Sequence, residues 1–273
     1  MNLFRLYVII NLFQIKIRRY IGEGPFFTLA ICLVMLTACA MDQGRKKAMA
    51  DMHVNVAMAY IEARDFNGAL KELTPAEKLS PHNPQIHHLL GLSYYGKGYK
   101  QKALDEFKKA IALKPDYSDA FNDLGTIYLD MEQWDLAISA FNQALSNILY
   151  DKPTNSLYNL GRTYFGKGDY TQAMAVFQEA LAKYPRAVLV PLIRHYMGRT
   201  SYALKDIRGA TAQFKKSTEL APTYVESYYW LGECYIQSGK LKEARTAFET
   251  VMKLAPDSDI SNKSKEILSK MRN

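Results

Sequence analysis

The most regular hydrophobic pattern lies in residues 84–117, where Leu90-Gly91, Tyr94, Ala103, Phe107, Ala110 and Pro115 are set among Lys, Glu, Asp and Gln. Apolar positions spaced three and four apart predict two amphipathic helices. Between them Gly98 can take a positive φ at a turn, and Pro115, lacking an N–H, ends the second helix. Gly91 and Ala103 are small where the two helices approach. Tyr94 and Phe107 are large and fill space against the neighbouring hairpin. Helices this short are marginal alone, so a single hairpin requires stacked neighbours.

The same order of residue types recurs at intervals close to 34 residues. Unit one, 50–83, carries Ala57, Tyr60, Ala69, Leu73, Ala76 and Pro81, and unit two is 84–117. Unit three, 118–153, carries Leu124-Gly125, Tyr128, Ala137, Phe141 and Ala144. Unit four, 154–187, carries Leu160-Gly161, Tyr164, Ala173, Phe177, Ala180 and Pro185. Unit five, 191–224, carries Gly198, Tyr202, Ala210, Phe214 and Pro222, and unit six, 225–258, carries Leu231-Gly232, Tyr235, Ala244, Phe248 and Pro256. Two junctions are irregular. Leu149 replaces the proline expected after unit three, and the pattern predicts a helix running on to Tyr150-Asp151-Lys152-Pro153. Val188-Leu189-Val190 is inserted before unit five, with Pro191 at the next helix start, where proline is tolerated. Residues 259–273 read as a capping helix, with Ile260, Ile267, Leu268 and Met271 toward the array and Lys263, Lys265, Glu266 and Lys270 toward water.

This residue order resembles the tetratricopeptide repeat, a helix–turn–helix unit. The resemblance implies an all-α fold: a right-handed α-solenoid of six tetratricopeptide repeats plus a C-terminal capping helix.

The N-terminal segment has a different character. Lys16, Arg18 and Arg19 precede the apolar run 25–38, PFFTLAICLVMLTA, as in a secretory signal peptide. The run ends Leu36-Thr37-Ala38-Cys39, which resembles the bacterial lipobox. That resemblance implies cleavage after residue 38 and a covalent diacylglycerol on Cys39, holding the chain on a membrane. Ala40 is not the Asp that resembles an inner-membrane retention signal, so the expected place is the periplasmic face of the outer membrane. An uncleaved inner-membrane anchor is the alternative, because the run is near the lower limit for spanning a bilayer. A second apolar stretch, residues 3–15, makes the leader long and raises the question of the true translation start. Residues 39–49 read as a lipidated polar tether; its ten residues after Cys39 span at most about 35 Å when extended.

The formal charge is +8, of which Arg5, Lys16, Arg18 and Arg19 against Glu23 contribute +3, leaving +5 on the other 235 residues. Positives so dispersed do not form a nucleic-acid footprint. Three cysteines predict no disulfide framework, and Cys234 reads as a buried small hydrophobe. No metalloprotease, Walker or nucleophile-elbow motif occurs after residue 39, so the chain reads as a non-enzyme. Tyr95-Gly-Lys-Gly98 and Phe165-Gly-Lys-Gly168 fall at repeat turns and read as turns, not phosphate loops. His53 and His87 share one core-facing repeat position, and His82 follows a helix-ending proline; packing and exposure account for them without a metal or cofactor.

In tetratricopeptide arrays the first helix of each repeat lines a concave surface. Carrying those positions over yields a candidate protein-binding groove of His88, Tyr95, Asn122, Tyr158, Arg162, Phe165, His195, Arg199, Tyr229 and Glu233. Arg162 and Arg199 fall at equivalent positions of adjacent repeats among aromatic residues, types that anchor interfaces. The Lys-plus-Asn pattern of carboxylate-clamp repeats is absent from the equivalent positions.

The lipobox, tether and six repeats together resemble the type IV pilus biogenesis and stability lipoproteins, the outer-membrane pilotins. Ala144-Leu-Ser-Asn-Ile-Leu-Tyr-Asp-Lys-Pro153, ahead of Leu157-Tyr-Asn-Leu-Gly161, is similar to that family's extended third repeat. The resemblance implies a protein partner, secretin subunits or other pilus assembly components. A general envelope adaptor, serving polysaccharide export or an envelope hydrolase or protease, is the alternative. The oligomeric state and the face that binds are left open by the sequence.

Overall fold

The computed structural model describes residues 25–271, with the side chains of residues 25–34 and of Cys39 excepted. The leader stretch 3–15 and its basic residues lie outside the described residues. Among those described there are thirteen helices and no strand. They form six antiparallel hairpins in sequence, with each hairpin packed on the next. The hairpins are α1 (Pro25–Glu62) with α2 (Phe66–Leu79), α3 (Pro84–Gly96) with α4 (Lys100–Leu113), and α5 (Ser118–Asp130) with α6 (Trp134–Ser146). They continue with α7 (Pro153–Lys167) and α8 (Tyr170–Lys183), α9 (Val190–Ala203) and α10 (Ile207–Leu220), and α11 (Val225–Gln237) and α12 (Leu241–Leu254). Helix α13 (Asp259–Lys270) closes the end.

One contact recurs in five hairpins. Phe107, Phe141, Phe177, Phe214 and Phe248 are fully buried on the second helices. Each ring lies against a glycine of its own first helix: a Cβ at Gly91, Gly125, Gly161, Gly198 or Gly232 would come within 2.5, 2.7, 2.3, 2.7 or 2.7 Å of it. The glycine is therefore a seat for the ring, besides being a point of close helix approach. The first hairpin solves the same problem differently. Ala57 and Leu73 occupy the two positions, a larger seat under a smaller side chain, and both are fully buried. Beside each clasp, Ala69, Ala103, Ala137, Ala173, Ala210 and Ala244 are completely buried, small side chains where the paired helices approach closely.

The turns within hairpins share one backbone state. Gly98, Gly168 and Gly239 have φ of 80°, 86° and 69°. Arg64, Glu132 and Lys205 hold the same left-handed state at φ 58°, 56° and 65° in the other three hairpins, where Cβ makes it less favourable. Asp65, Asp169 and Asp206 cap the second helices, accepting from the amides of Gly68, Gln172 and Gly209 at 2.9, 3.1 and 2.8 Å.

Two expectations need correction. Residues 40–49, read as a polar tether, are part of α1. Their Ala, Met, Gln, Lys and Arg content favours helix, and Lys46 pairs with Asp42 one turn away at 2.7 Å. As helix, ten residues rise only about 15 Å. Next, α6 does not run on to Pro153. It stops at Ser146 because Asn147 leaves the helix at φ −82°, ψ 111°. The Asn147 side chain accepts from the Leu149 amide at 2.9 Å and donates to the Asp116 carbonyl at 3.3 Å, which fixes a turn. That turn leaves Ile148 and Leu149 95% and 86% exposed. In the cap, Leu268 is buried in the core of the last hairpin and Ile267 and Met271 pack against it, toward the array, with Ser261 and Ser264 also fully buried and Ile260 half-buried.

In the insertion before unit five, Val188 is 93% exposed while Val190 is buried at the start of α9. No helix among the described residues is long and apolar enough to cross a membrane.

A second recurring pair, four residues before the seat and fifteen after it, is polar in three hairpins. His53 bonds Glu72 at 2.7 Å, His87 bonds Glu106 at 2.8 Å and Arg194 bonds Gln213 at 2.9 Å. In the fourth hairpin it is the apolar pair Leu157 and Val176. His87 is the buried case: its Nε2 also faces the Pro81 carbonyl at 2.8 Å, and Lys109 bonds Glu106 at 2.7 Å. Glu77 completes a His–Glu–Glu group whose ligand-type atoms lie within 4.8 Å of one another. Both ring nitrogens of His87 face oxygen acceptors, an arrangement that favours the protonated ring, which has no lone pair for a metal ion. The Glu106 hydrogen bond raises the His87 pKa above its ordinary 6.5. Burial would raise Glu106, but hydrogen bonds from His87 and Lys109 outweigh it and hold the carboxyl below its ordinary 4.5.

Two outcomes follow from this packing. Gly161→Ala drives a methyl into the Phe177 ring and is expected to cost about 1–3 kcal/mol in urea unfolding. The pair Gly161→Ala with Phe177→Leu, copying the first hairpin, recovers part of that loss. The second outcome is a pH signature. A raised histidine pKa contributes stability fully below the unfolded value of 6.5 and loses it as pH rises through the folded value; the depressed Glu106 contributes above 4.5 and loses it on acidification. The stability difference between wild type and His87→Gln is therefore largest between about pH 5 and 6.5 and smaller near pH 9, as urea midpoints at each pH will show.

Candidate protein-binding groove

The first helices of successive hairpins lie side by side and in register. His88 bonds Asp123 at 2.7 Å, Ser156 bonds Asn122 at 2.9 Å, and Gln237 bonds Tyr202 at 2.5 Å. The Tyr95 hydroxyl donates to Asp130. All these bonds join residues 34 or 35 apart, so positions counted from the seat glycine form columns along one face. The column one residue after the seat reads Met58, Leu92, Thr126, Arg162, Arg199 and Glu233. It is apolar at the N-terminal end, cationic in hairpins four and five, and acidic in hairpin six.

Two parts of this face are distinct. Toward the N-terminal end, a pocket of about 400 Å³ is lined in part by Met58, Glu62, His88, Asn122, Asp123 and Tyr150. The irregular junction contributes to it directly: Lys152 reaches Asp119 at 3.3 Å, and Tyr150 lies 3.5 Å from Ser156. Burial pushes the hydroxyls of Tyr117 and Tyr150 up to about 12.

The second part centres on Tyr196. The Arg162 guanidinium lies 5.4 Å from the Tyr158 ring centre and 5.6 Å from that of Tyr196. The Arg199 guanidinium lies 4.7, 5.4 and 5.4 Å from Phe165, Tyr196 and Trp230. Tyr158 and Phe165 each meet the Tyr196 ring edge-on, at 5.6 and 5.9 Å. Among the described residues neither guanidinium pairs with a carboxylate; Arg162 donates to Asn159 at 3.3 Å. The Nε of Arg199 is buried with no hydrogen-bond partner. Burial pushes Tyr158 up to about 12.

The ten residues expected in the groove thus separate. Tyr158, Arg162, Phe165 and Arg199 are brought together. His88 and Asn122 line the N-terminal pocket, and Tyr95 is tied to Asp130 nearby. Tyr229 and Glu233 sit at the C-terminal end, where burial raises both pKa values and their mutual hydrogen bond limits the rise at Glu233. His195 is a correction. It is 3% exposed, bonds Ser227 at 2.9 Å and packs among Tyr196, Phe214 and Tyr224, so a partner cannot touch it. Its place, three residues before the seat, points into the seam with the next hairpin. Burial and the neighbouring Arg199 charge lower its pKa to about 3, so it stays neutral. His88, from the same column, is 8% exposed and held by Asp123 and Tyr117.

Sequence reasoning missed Tyr196 and Trp230, the rings that brace the arginines. Both lie two residues before the seat, a column left out of the carried-over positions; reading every column of the first helices would have found them.

Comparison with known proteins agrees with the geometry. The tetratricopeptide-repeat family is matched over residues 84–117, 116–186 and 201–263. Among curated relatives, Protein CTR9 homolog of Arabidopsis thaliana is 27% identical over 161 residues, 57% of this chain but 14% of the relative. Among solved structures, PilF of Pseudomonas aeruginosa superposes with a TM-score of 0.71 at 16% identity, covering 81% of this chain and 98% of PilF. PilW, described as a widely conserved type IV pilus biogenesis factor, superposes with a TM-score of 0.72 at 20% identity, covering 78% and 97%. At such identities the likeness is one of fold. On the recurring clasp, the in-register first helices and these family matches, the chain is a tetratricopeptide-repeat protein.

Proposed function

We propose that this chain is a lipid-anchored, non-catalytic scaffold of the bacterial envelope that assists secretin assembly for type IV pili. The observation that carries a binding role is the pair of arginines on one face, braced by aromatic rings and with no carboxylate partner among the described residues. Arginine held among aromatic rings is the residue combination in which interface hot spots are enriched. The pilus assignment draws support from the PilF and PilW folds, whose lengths this chain covers at 98% and 97%. The lipobox-like Leu36-Thr37-Ala38-Cys39 supports the membrane address.

On this reading the lipid on Cys39 supplies location and the groove supplies selection. The helical course of residues 40–49 then holds the first hairpin within about 15 Å of the anchor.

A deletion strain tests the role. It is expected to lose heat- and detergent-resistant secretin multimers and surface pili. Wild-type complementation restores both, Arg162→Glu with Arg199→Glu restores neither while staying folded by circular dichroism, and the mature N-terminus carries an acylated Cys39 by mass spectrometry. Multimers and pili that persist in the deletion strain contradict the pilus reading, and an unmodified Cys39 contradicts the anchor.

A further inference from the structure

We infer that Arg162 and Arg199 together receive a carboxylate side chain, Asp or Glu, from an extended segment of a protein partner that runs through the groove. The inference rests on the proposed use of this face for protein binding and names the chemistry that it selects.

The first ground is the missing counter-charge. Some lysines of the chain have a carboxylate partner, Lys109 with Glu106 at 2.7 Å, Lys152 with Asp119 at 3.3 Å and Lys167 with Asp135 at 2.6 Å. What sets the two groove arginines apart from other unpaired cations is that aromatic rings hold both beside each other. The two arginines, one repeat apart and sharing the Tyr196 ring, have no carboxylate among the described residues. Like charges this close disfavour each other unless an anion lies between them. The Arg199 Nε is buried without a hydrogen-bond partner, as is that of Arg194, so contact with a ligand falls to the terminal nitrogens of Arg199. His195, neutral behind Arg199, adds no further charge.

The second ground is the bracing. Arg162 is held over Tyr158 and Tyr196, and Arg199 over Phe165, Tyr196 and Trp230. Ring contacts of this kind hold the guanidinium in place; with one Arg162 N–H given to Asn159 and the Arg199 Nε buried, the remaining terminal N–H groups are the donors for hydrogen bonding to a carboxylate. Neighbouring rings offer apolar surface to the residues flanking that carboxylate.

The third ground is register. Along the column the only cations are Arg162 and Arg199, and Glu233 follows. Asp123 and Asp130 lie on the other side, tied to His88 and Tyr95. Acids on both flanks confine a partner's negative charge to the arginine pair. The face continues in both directions, to Met58, Leu92 and Thr126 on one side and Tyr229 and Glu233 on the other. A chain can therefore pass through, which fits an internal acidic residue better than a terminal carboxylate.

The test uses the full chain and three peptides in fluorescence polarisation. One is acetylated and amidated Ser-Ala-Phe-Glu-Phe-Ala-Ser, the second its Gln counterpart, and the third the Gln peptide with a free C-terminal carboxylate. The Glu peptide is expected to bind about tenfold more tightly than the other two. Arg162→Gln with Arg199→Gln abolishes that preference, and the lysine pair restores only part of it because a point charge replaces the fork. Thermal melts of each variant separate loss of preference from loss of folding.

Equal affinity for Glu and Gln peptides, including failure to bind either, overturns the inference. So does a preference that survives the double Gln variant, or tighter binding of the free-acid peptide. These outcomes are separable from the pilus reading, which falls only if the deletion strain keeps its secretin multimers and pili.

Discussion

A phenylalanine ring seated on a glycine is the constraint on which the rest depends. The ring is the largest fully buried group in five of the hairpins, and the seat admits it only because no Cβ is there. Each clasp fixes how far the two helices of a hairpin stand apart and how they slide along one another. Stacking repeats that geometry, and positions counted from the seat therefore line up from one first helix to the next. Without that alignment Arg162 and Arg199 would be two unrelated surface cations. With it they share one tyrosine ring. The first hairpin, where Ala57 and Leu73 exchange sizes, shows that the constraint is volume at the contact and not the identity of either residue.

Regular and irregular parts divide the work. The clasps and the fully buried alanines beside them are alike in each hairpin and carry stability through close packing. Departures from the period reach the surface. The Asn147 turn brings Tyr150 and Lys152 to the N-terminal pocket and leaves Ile148 and Leu149 in solvent; the insertion before α9 exposes Val188. Polar pairs such as His87 with Glu106 are tolerated inside because every donor there has an acceptor.

Much of the fold was legible because the determinants are local and repeated. Seat, clasp, turn glycine and terminating proline each act within one hairpin, so a fixed period in the residue types reports them. What was not legible depends on neighbours or on a single side chain. Asn147 stops α6 through two hydrogen bonds, one to a carbonyl 31 residues away, and no periodic signal encodes that. Residues 40–49 look polar enough for a tether, yet helix propensity and one lysine–aspartate pair carry α1 through them. In the groove the arginines were visible from their column, but the same transfer of positions placed His195 on the surface and overlooked Tyr196 and Trp230. A column is a direction on a helix; whether it meets solvent or the next hairpin is settled by packing, as the ring neighbours of His195 make plain.

The central claim is that partner contact is concentrated on the concave face of hairpins four to six. Site-specific photocross-linking in living cells tests it most directly, with a photoreactive phenylalanine at Tyr196 or Trp230 compared with Gln178, an exposed position on α8. The account predicts strong adducts with one protein of the same mass from Tyr196 and Trp230, and none from Gln178. Adducts from Gln178 equal to or stronger than those from the two groove positions would contradict it.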